Sequence, residues 1–140
     1  MSKFVVKDVE GMNGRQAIKQ LVVLDNRTDI KKIILADTKG QLEIYEENLE
    51  TKYENSIEKI YALMDRLSNL RPLNDHEFKD ITPRSETVKE YEFKGGDLRV
   101  YAIKIPNGKL IILGGYKNKQ KQDISAFRAL KKLYLKSLIG

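Results

Sequence analysis

TVKEYEF (87–93), DLRVYAIKI (97–105) and KLIILGGY (109–116) follow one another with Gly95-Gly96 and Pro106-Asn107-Gly108 between them. Apolar β-type runs separated by such turn residues read as strands joined by hairpins, so this stretch predicts an antiparallel meander of three strands. Within the middle run Leu98, Val100 and Ala102 alternate with Arg99, Tyr101 and Ile103. If Leu98 faces a core, the period of two sends Arg99 and Tyr101 to the opposite face. The basic stretch Tyr116-Lys117-Asn118-Lys119-Gln120-Lys121 comes next, then a Lys-rich amphipathic helix capped by Asp123 or Ser125. Its Ile124, Phe127, Leu130, Leu133 (or Tyr134) and Leu138 are expected to face inward, with Arg128, Lys131, Lys132 and Lys136 outward. The expected result is a sheet covered on one side, with basic and aromatic groups on the other.

Charge agrees with that picture. From Thr87 onward there are 12 Lys/Arg against 4 Asp/Glu, a net of +8, while residues 1–86 carry 14 against 16, a net of −2. The excess positive charge of the chain therefore lies in its last third, where it is suited to a phosphate-bearing partner.

Upstream, Leu42, Tyr45, Leu49, Tyr53, Ile57, Ile60, Met64 and Leu67 step by three or four with Glu and Lys between them. That spacing predicts one long amphipathic helix over 41–70, or two with a break near Thr51, packing one face on the sheet. Pro72 stops it, and Leu73 to Arg84 reads as a connecting loop. The first forty residues are ambiguous. Phe4–Val6 fits a short edge strand, whereas Leu21–Leu24 and Ile33–Ala36 fit buried strands as well as helices.

With 140 residues and 41% apolar content, the chain is expected to form a single α+β domain over 1–140. It has no cysteine, hence no disulfide and no thiolate nucleophile. Its one histidine, His76, sits in a polar segment that favours an exposed loop, and with no second histidine and no cysteine a two-histidine zinc site and a Cys-His pair are excluded. Catalysis, if any, falls to Lys, Arg, Tyr or carboxylates. No segment reaches the roughly 18 apolar residues of a membrane span, and the N-terminal apolar run is too short for a signal peptide, so a cytoplasmic protein with no membrane partner is expected.

The run Leu98-Arg99-Val100-Tyr101 within EFKGGDLRVYAIKIPNGKLIILGGYKNKQKQDISAF resembles the C-terminal signature of the RelE/HigB toxin superfamily. That signature is a strand with an Arg-hydrophobic-aromatic core, a short hairpin, an aliphatic strand ending in Gly-aromatic, and a Lys/Gln-rich turn before a terminal helix. The resemblance covers about residues 88–136. It implies a RelE-like fold, a helical hairpin on a small antiparallel sheet. It also implies a toxin that enters the ribosome, cleaves mRNA and arrests translation, restrained by a cognate antitoxin expected to be a helix-turn-helix protein. Cleavage in that family uses no metal and no cofactor: the ribose 2′-OH attacks the adjacent phosphate while the protein supplies positive charge, a proton donor and a proton acceptor. Carried over, Arg99 matches the phosphate-stabilising strand arginine and Lys117 the basic residue after the Gly-containing strand, while Lys119 and Lys121 extend the charge. Tyr101 and Tyr116 are able to stack on a base or exchange a proton, and Lys131 and Lys132 of the last helix would meet RNA backbone. Where some members carry Lys on the first strand, this chain has Glu90 and Glu92, and the Glu92 carboxylate is the candidate general base. A non-catalytic RNA-binding module, or a ParE-like inhibitor of a protein target, is the alternative on the same fold.

Overall fold

The computed structural model describes residues 3–25 and 27–139. Met1, Ser2, Asn26 and Gly140, which belong to the 1–140 domain expected from the sequence, lie outside the described residues. Strands β1 (Lys3–Asp8) and β2 (Ala17–Leu24) form an antiparallel pair, followed by helices α1 (Gln41–Glu47) and α2 (Glu54–Ser68). Strands β3 (Phe78–Asp80), β4 (Glu90–Gly95), β5 (Leu98–Ile105) and β6 (Gly108–Tyr116) follow, and helix α3 (Gln120–Ile139) closes the chain.

All six strands join one sheet in the order β1-β2-β6-β5-β4-β3. The meander β4-β5-β6 is antiparallel, as its turns require: Gly96 at φ +54 and Asn107 at φ +60 supply the left-handed residues of the two hairpins. The β2–β6 pairing is parallel, which an all-antiparallel sheet does not anticipate. Both strands carry near-continuous apolar runs, LVVL and LIIL, the composition of central strands buried on both faces.

The expectation of a sheet covered on one side is overturned. Helices α1 and α2 pack on one face through Leu42, Ile57, Ile60, Leu63 and Met64 against Phe93, Leu98, Val100 and Ile111. Helix α3 covers the other face, where Phe127 and Tyr134 pack with Leu21, Tyr101, Ile103, Leu110 and Ile112. The two adjacent glycines of β6 permit this double closure. A Cβ on Gly114 would lie 2.3 Å from the Tyr45 ring, and one on Gly115 would lie 2.2 Å from the Asp123 carboxylate, so neither helical layer could seat over a larger residue.

Four further local differences follow from tertiary packing. Lys131, expected outside, is 1% exposed; of the alternatives Leu133 and Tyr134, Tyr134 is the inward one, at 8% against 50%, and Leu138, expected inside, is 64% exposed. Ile124, Phe127 and Leu130 face inward as expected, and Lys131 joins them because it reaches a buried carboxylate on β4. Asp123 does not cap α3, which begins at Gln120; its Oδ2 accepts from the Tyr116 backbone N–H at 2.9 Å, and Ser125 lies within the helix. The helical stripe over 41–70, by contrast, agrees with expectation and breaks at a 3₁₀ turn, Thr51–Tyr53. The segment read as a loop after Pro72 contains β3, three residues pairing with Tyr91–Phe93, and residues 30–37 form two exposed 3₁₀ turns rather than a strand or an α-helix.

Candidate functional site

The register of β4 against β5 sets Glu92 opposite Tyr101, and Lys94 opposite Arg99. Glu92, Arg99 and Tyr101 point to the face covered by α3, and all three are buried, at 2%, 7% and 0% exposure. The strand alternation thus correctly placed Arg99 and Tyr101 together, on the face away from Leu98 and Val100. That face is closed rather than open, because the first turns of α3 lie over it.

Within this cluster the Arg99 guanidinium donates from Nη1 to the carbonyls of Gly96 and Leu98, both at 2.8 Å, and its Nε stands 4.0 Å from Glu92 Oε1. Gln120 Nε2 donates to Glu92 Oε2 at 2.9 Å, and Lys94 approaches the other oxygen at 4.0 Å. Two polar atoms here are buried with no hydrogen-bond partner, Arg99 Nε and Tyr101 Oη. Such orphans are costly and uncommon, and they mark a site whose polar groups are not fully used by the fold. Burial pushes the Tyr101 phenol above the ordinary tyrosine range, and the nearby Glu92 charge adds to this while Arg99 opposes it, so the group is a protonated donor at neutral pH.

Next to the cluster is the basic rim. Lys117, Lys119 and Lys121 are all exposed, the first two in a 3₁₀ turn that leads into α3. The Lys117 backbone N–H donates to the Asp97 carbonyl at 2.8 Å, pinning the rim to the β4–β5 hairpin. A cleft of about 360 Å³ opens there, lined by Tyr53, Asp97, Tyr116, Lys117, Asn118 and Gln120. Gln120 therefore borders the cleft and also holds Glu92, linking the cleft to the buried cluster.

The remaining expected residues divide. Tyr116 lies at the cleft, its ring 5.5 Å from that of Tyr53 and 6.1 Å from that of Tyr45. Lys132 is exposed on α3. Lys131 is not available to RNA: its Nζ pairs with Glu90 Oε2 at 2.8 Å and donates to the Val88 carbonyl at 2.9 Å. Glu90, 0% exposed, also accepts from Arg128 Nε at 3.0 Å. The two acidic residues of β4 are thus the docking partners of α3, Glu92 for Gln120 and Glu90 for Arg128 and Lys131. Tyr53, Asp97 and Gln120 escaped the sequence reading because each had another place there, Tyr53 in the apolar stripe, Asp97 at the hairpin and Gln120 in the basic turn.

A second, larger cleft of about 800 Å³ lies at the opposite sheet edge, lined by Asp8, Glu10, Glu43, Glu46, Tyr61 and Leu35 among others. Asp8, Glu43 and Glu46 are tied within the fold, Asp8 by Lys19 at 2.8 Å. Lys7 pairs with Glu43 at 2.6 Å, and Tyr61 donates to Glu46 at 2.8 Å. Among the described residues no group of three or more His, Cys, Asp or Glu is set to hold a metal ion, and no helix is long and apolar enough to cross a membrane. No protein-family model, curated protein or solved structure compared with this chain matches it.

Proposed function

We propose that this chain is a RelE/HigB-like toxin, a ribosome-associated endoribonuclease that cleaves mRNA without a metal and is restrained by a cognate antitoxin. The observation that carries this reading is the gathering of Glu92, Arg99 and Tyr101 into one buried cluster behind the exposed Lys117–Lys121 rim, with Arg99 Nε and Tyr101 Oη unpartnered. An acceptor, a fixed positive charge and a donor are the three groups that transphosphorylation needs. In the proposed reaction Glu92 takes the proton of the ribose 2′-OH as its oxygen bonds to the adjacent phosphorus. Arg99 and Lys117 stabilise the charge on the phosphorane. As the bond from phosphorus to the 5′-oxygen breaks, Tyr101 protonates that oxygen. The products are a 2′,3′-cyclic phosphate and a 5′-hydroxyl, and the proton held on Glu92 restores the phenol. Access requires Gln120 to release Glu92 and the start of α3 to lift from the sheet.

One observation favours a second reading. Arg99 is nearly buried and spends Nη1 on its own hairpin carbonyls, as a purely structural arginine would. A non-catalytic RNA-binding or ParE-like inhibitory module would use only the exposed rim. Regulated expression with mapping of mRNA 5′ ends separates the two. The toxin reading expects growth arrest and new 5′ ends. It expects Arg99→Ala to lower cleavage on the order of 10²- to 10³-fold, and Arg99→Lys to restore only part, since Lys offers a point charge in place of a bidentate fork. A soluble, fully active Arg99→Ala protein would remove Arg99 from catalysis.

A further inference from the structure

We infer that the cleft lined by Tyr53, Tyr116 and Asp97 is a nucleobase pocket that takes one unstacked guanine of single-stranded RNA. The inference rests on the RNA-binding reading above and names what that surface selects. Three features of the cleft carry it.

The first is its size and walls. About 360 Å³ is near the small end of ligand cavities, room for a base and part of its ribose. Both tyrosine rings are half-buried, so each presents a face while the fold holds its back. Tyr116 is braced by Tyr45, whose hydroxyl donates to the Gly115 carbonyl at 2.6 Å. The Tyr53 and Tyr116 rings meet at 54°, a wedge with no room for a base between them as they stand but with an aromatic platform on its open side. Stacking of unpaired bases on such rings is a recurrent mode of single-strand recognition.

The second feature is the charge around it. Lys117 is part of the lining, and the Lys52 ammonium lies 5.2 Å from the centre of the Tyr53 ring. Lys52 also stands 3.7 Å from Glu50, so the phosphate path is carried by Lys117 and continues through the exposed Lys119 and Lys121.

The third is the polar edge. Asp97 is exposed on the cleft wall, and its main chain is fixed by the hydrogen bond from Lys117. A carboxylate accepts two parallel hydrogen bonds, and among the four RNA bases only guanine offers them from adjacent atoms, the N1–H and the 2-amino group. Adenine presents a lone pair at N1, which a carboxylate repels. The Asn118 amide, also part of the lining, supplies a donor for the guanine O6 or N7 acceptors. Because Gln120 also holds Glu92, filling the cleft competes directly with the contact that closes the cluster.

The test is binding of fluorescent pentanucleotides, 2′-O-methylated to block cleavage, to the full chain. Each oligonucleotide is uridine except for a central guanine, inosine or adenine. Guanine is expected to bind on the order of tenfold more tightly than adenine, the usual scale for a bidentate base contact. Inosine, which keeps N1–H but lacks the 2-amino group, is expected to fall between them. Tyr53→Ala should weaken all three, and Asp97→Asn should collapse the guanine preference. Should Tyr53→Ala fail to fold, the comparison of bases on the unmodified protein decides alone. Equal affinity for guanine and adenine, with salt-dependent binding retained, would overturn the pocket and leave the RNA reading standing. No binding of any oligonucleotide at low salt would overturn both.

Discussion

Tyr101 carries a hydroxyl that the fold buries completely and leaves without a partner, while its ring stacks on Phe127 at 5.4 Å. A ring in this position is wanted for packing, but the oxygen is not. Burying an unpaired hydroxyl costs roughly 1–3 kcal/mol. Tyr101→Phe is therefore expected to leave stability unchanged or raise it by about 1 kcal/mol in urea denaturation. If Tyr101 is the proton donor, the same variant loses mRNA cleavage and growth arrest. A variant that is both more stable and inactive would identify a residue kept for chemistry, whereas full activity would reduce Tyr101 to a core aromatic. At this scale the sequence was partly legible. Strand alternation put Arg99 and Tyr101 on one face, because the period of two is a property of the strand itself. It did not say what lies on that face, because burial is decided by an element 20 residues away.

Helix α3 shows what apolar spacing can and cannot reveal. Ile124, Phe127, Leu130 and Tyr134 turn inward as the spacing allows, but Lys131 joins them and Leu138 does not, because Glu90 on β4 is a buried acceptor needing charge. Hydrophobic periodicity has no term for a buried ion pair. Lys131→Ala would leave Glu90 its second partner, Arg128, whereas removing Glu90 strips the buried Lys131 ammonium of its close carboxylate. Glu90→Leu is therefore expected to cost about 3–5 kcal/mol, while Glu90→Leu combined with Lys131→Leu should recover much of it. Thermal unfolding of the single and double variants measures this, and an unperturbed single variant would contradict the buried pair. The other helices and the meander were legible for the opposite reason: a stripe stepping by three and four, and strands bounded by Gly-Gly and Pro-Asn-Gly, are local signals. Strand β3 was not, since three residues held only by pairing with Tyr91–Phe93 carry no pattern of their own. The rim leading into α3 makes a separate prediction. Replacing Lys117, Lys119 and Lys121 together with Gln should lower RNA affinity and reduce the slope of log K against log salt by about 2, from about 0.7 per lost phosphate contact on a single strand. An unchanged slope would show that the rim does not touch RNA.

The whole molecule is a sheet enclosed between two helical layers, and this closure has a consequence for its behaviour in alkali. Of its seven tyrosines, Tyr45 and Tyr61 belong to the α1–α2 layer and Tyr101 to the opposite side of the sheet, yet in all three burial is the main cause holding the phenol above its ordinary range. Tyr61 is also raised by its hydrogen bond to Glu46, and Tyr101 by Glu92. The unfolded chain would titrate these groups near ~10. Since the folded values are higher and the acid form is the one the fold favours, their contribution to stability is fully present below about pH 10 and is lost as pH rises toward the folded values. Stability should therefore fall steeply above about pH 10, and tyrosinate absorbance at alkaline pH should grow in two stages, the less strongly shifted phenols first and Tyr45, Tyr61 and Tyr101 together with loss of the circular dichroism signal. Tyr101→Phe should shift the second stage upward, since one of the groups that drives unfolding in alkali is gone. If all seven phenols instead titrate near ~10 while the secondary structure persists, the sheet is not enclosed on both faces. Glu92, Arg99 and Tyr101 would then stand open, as the strand pattern alone had suggested.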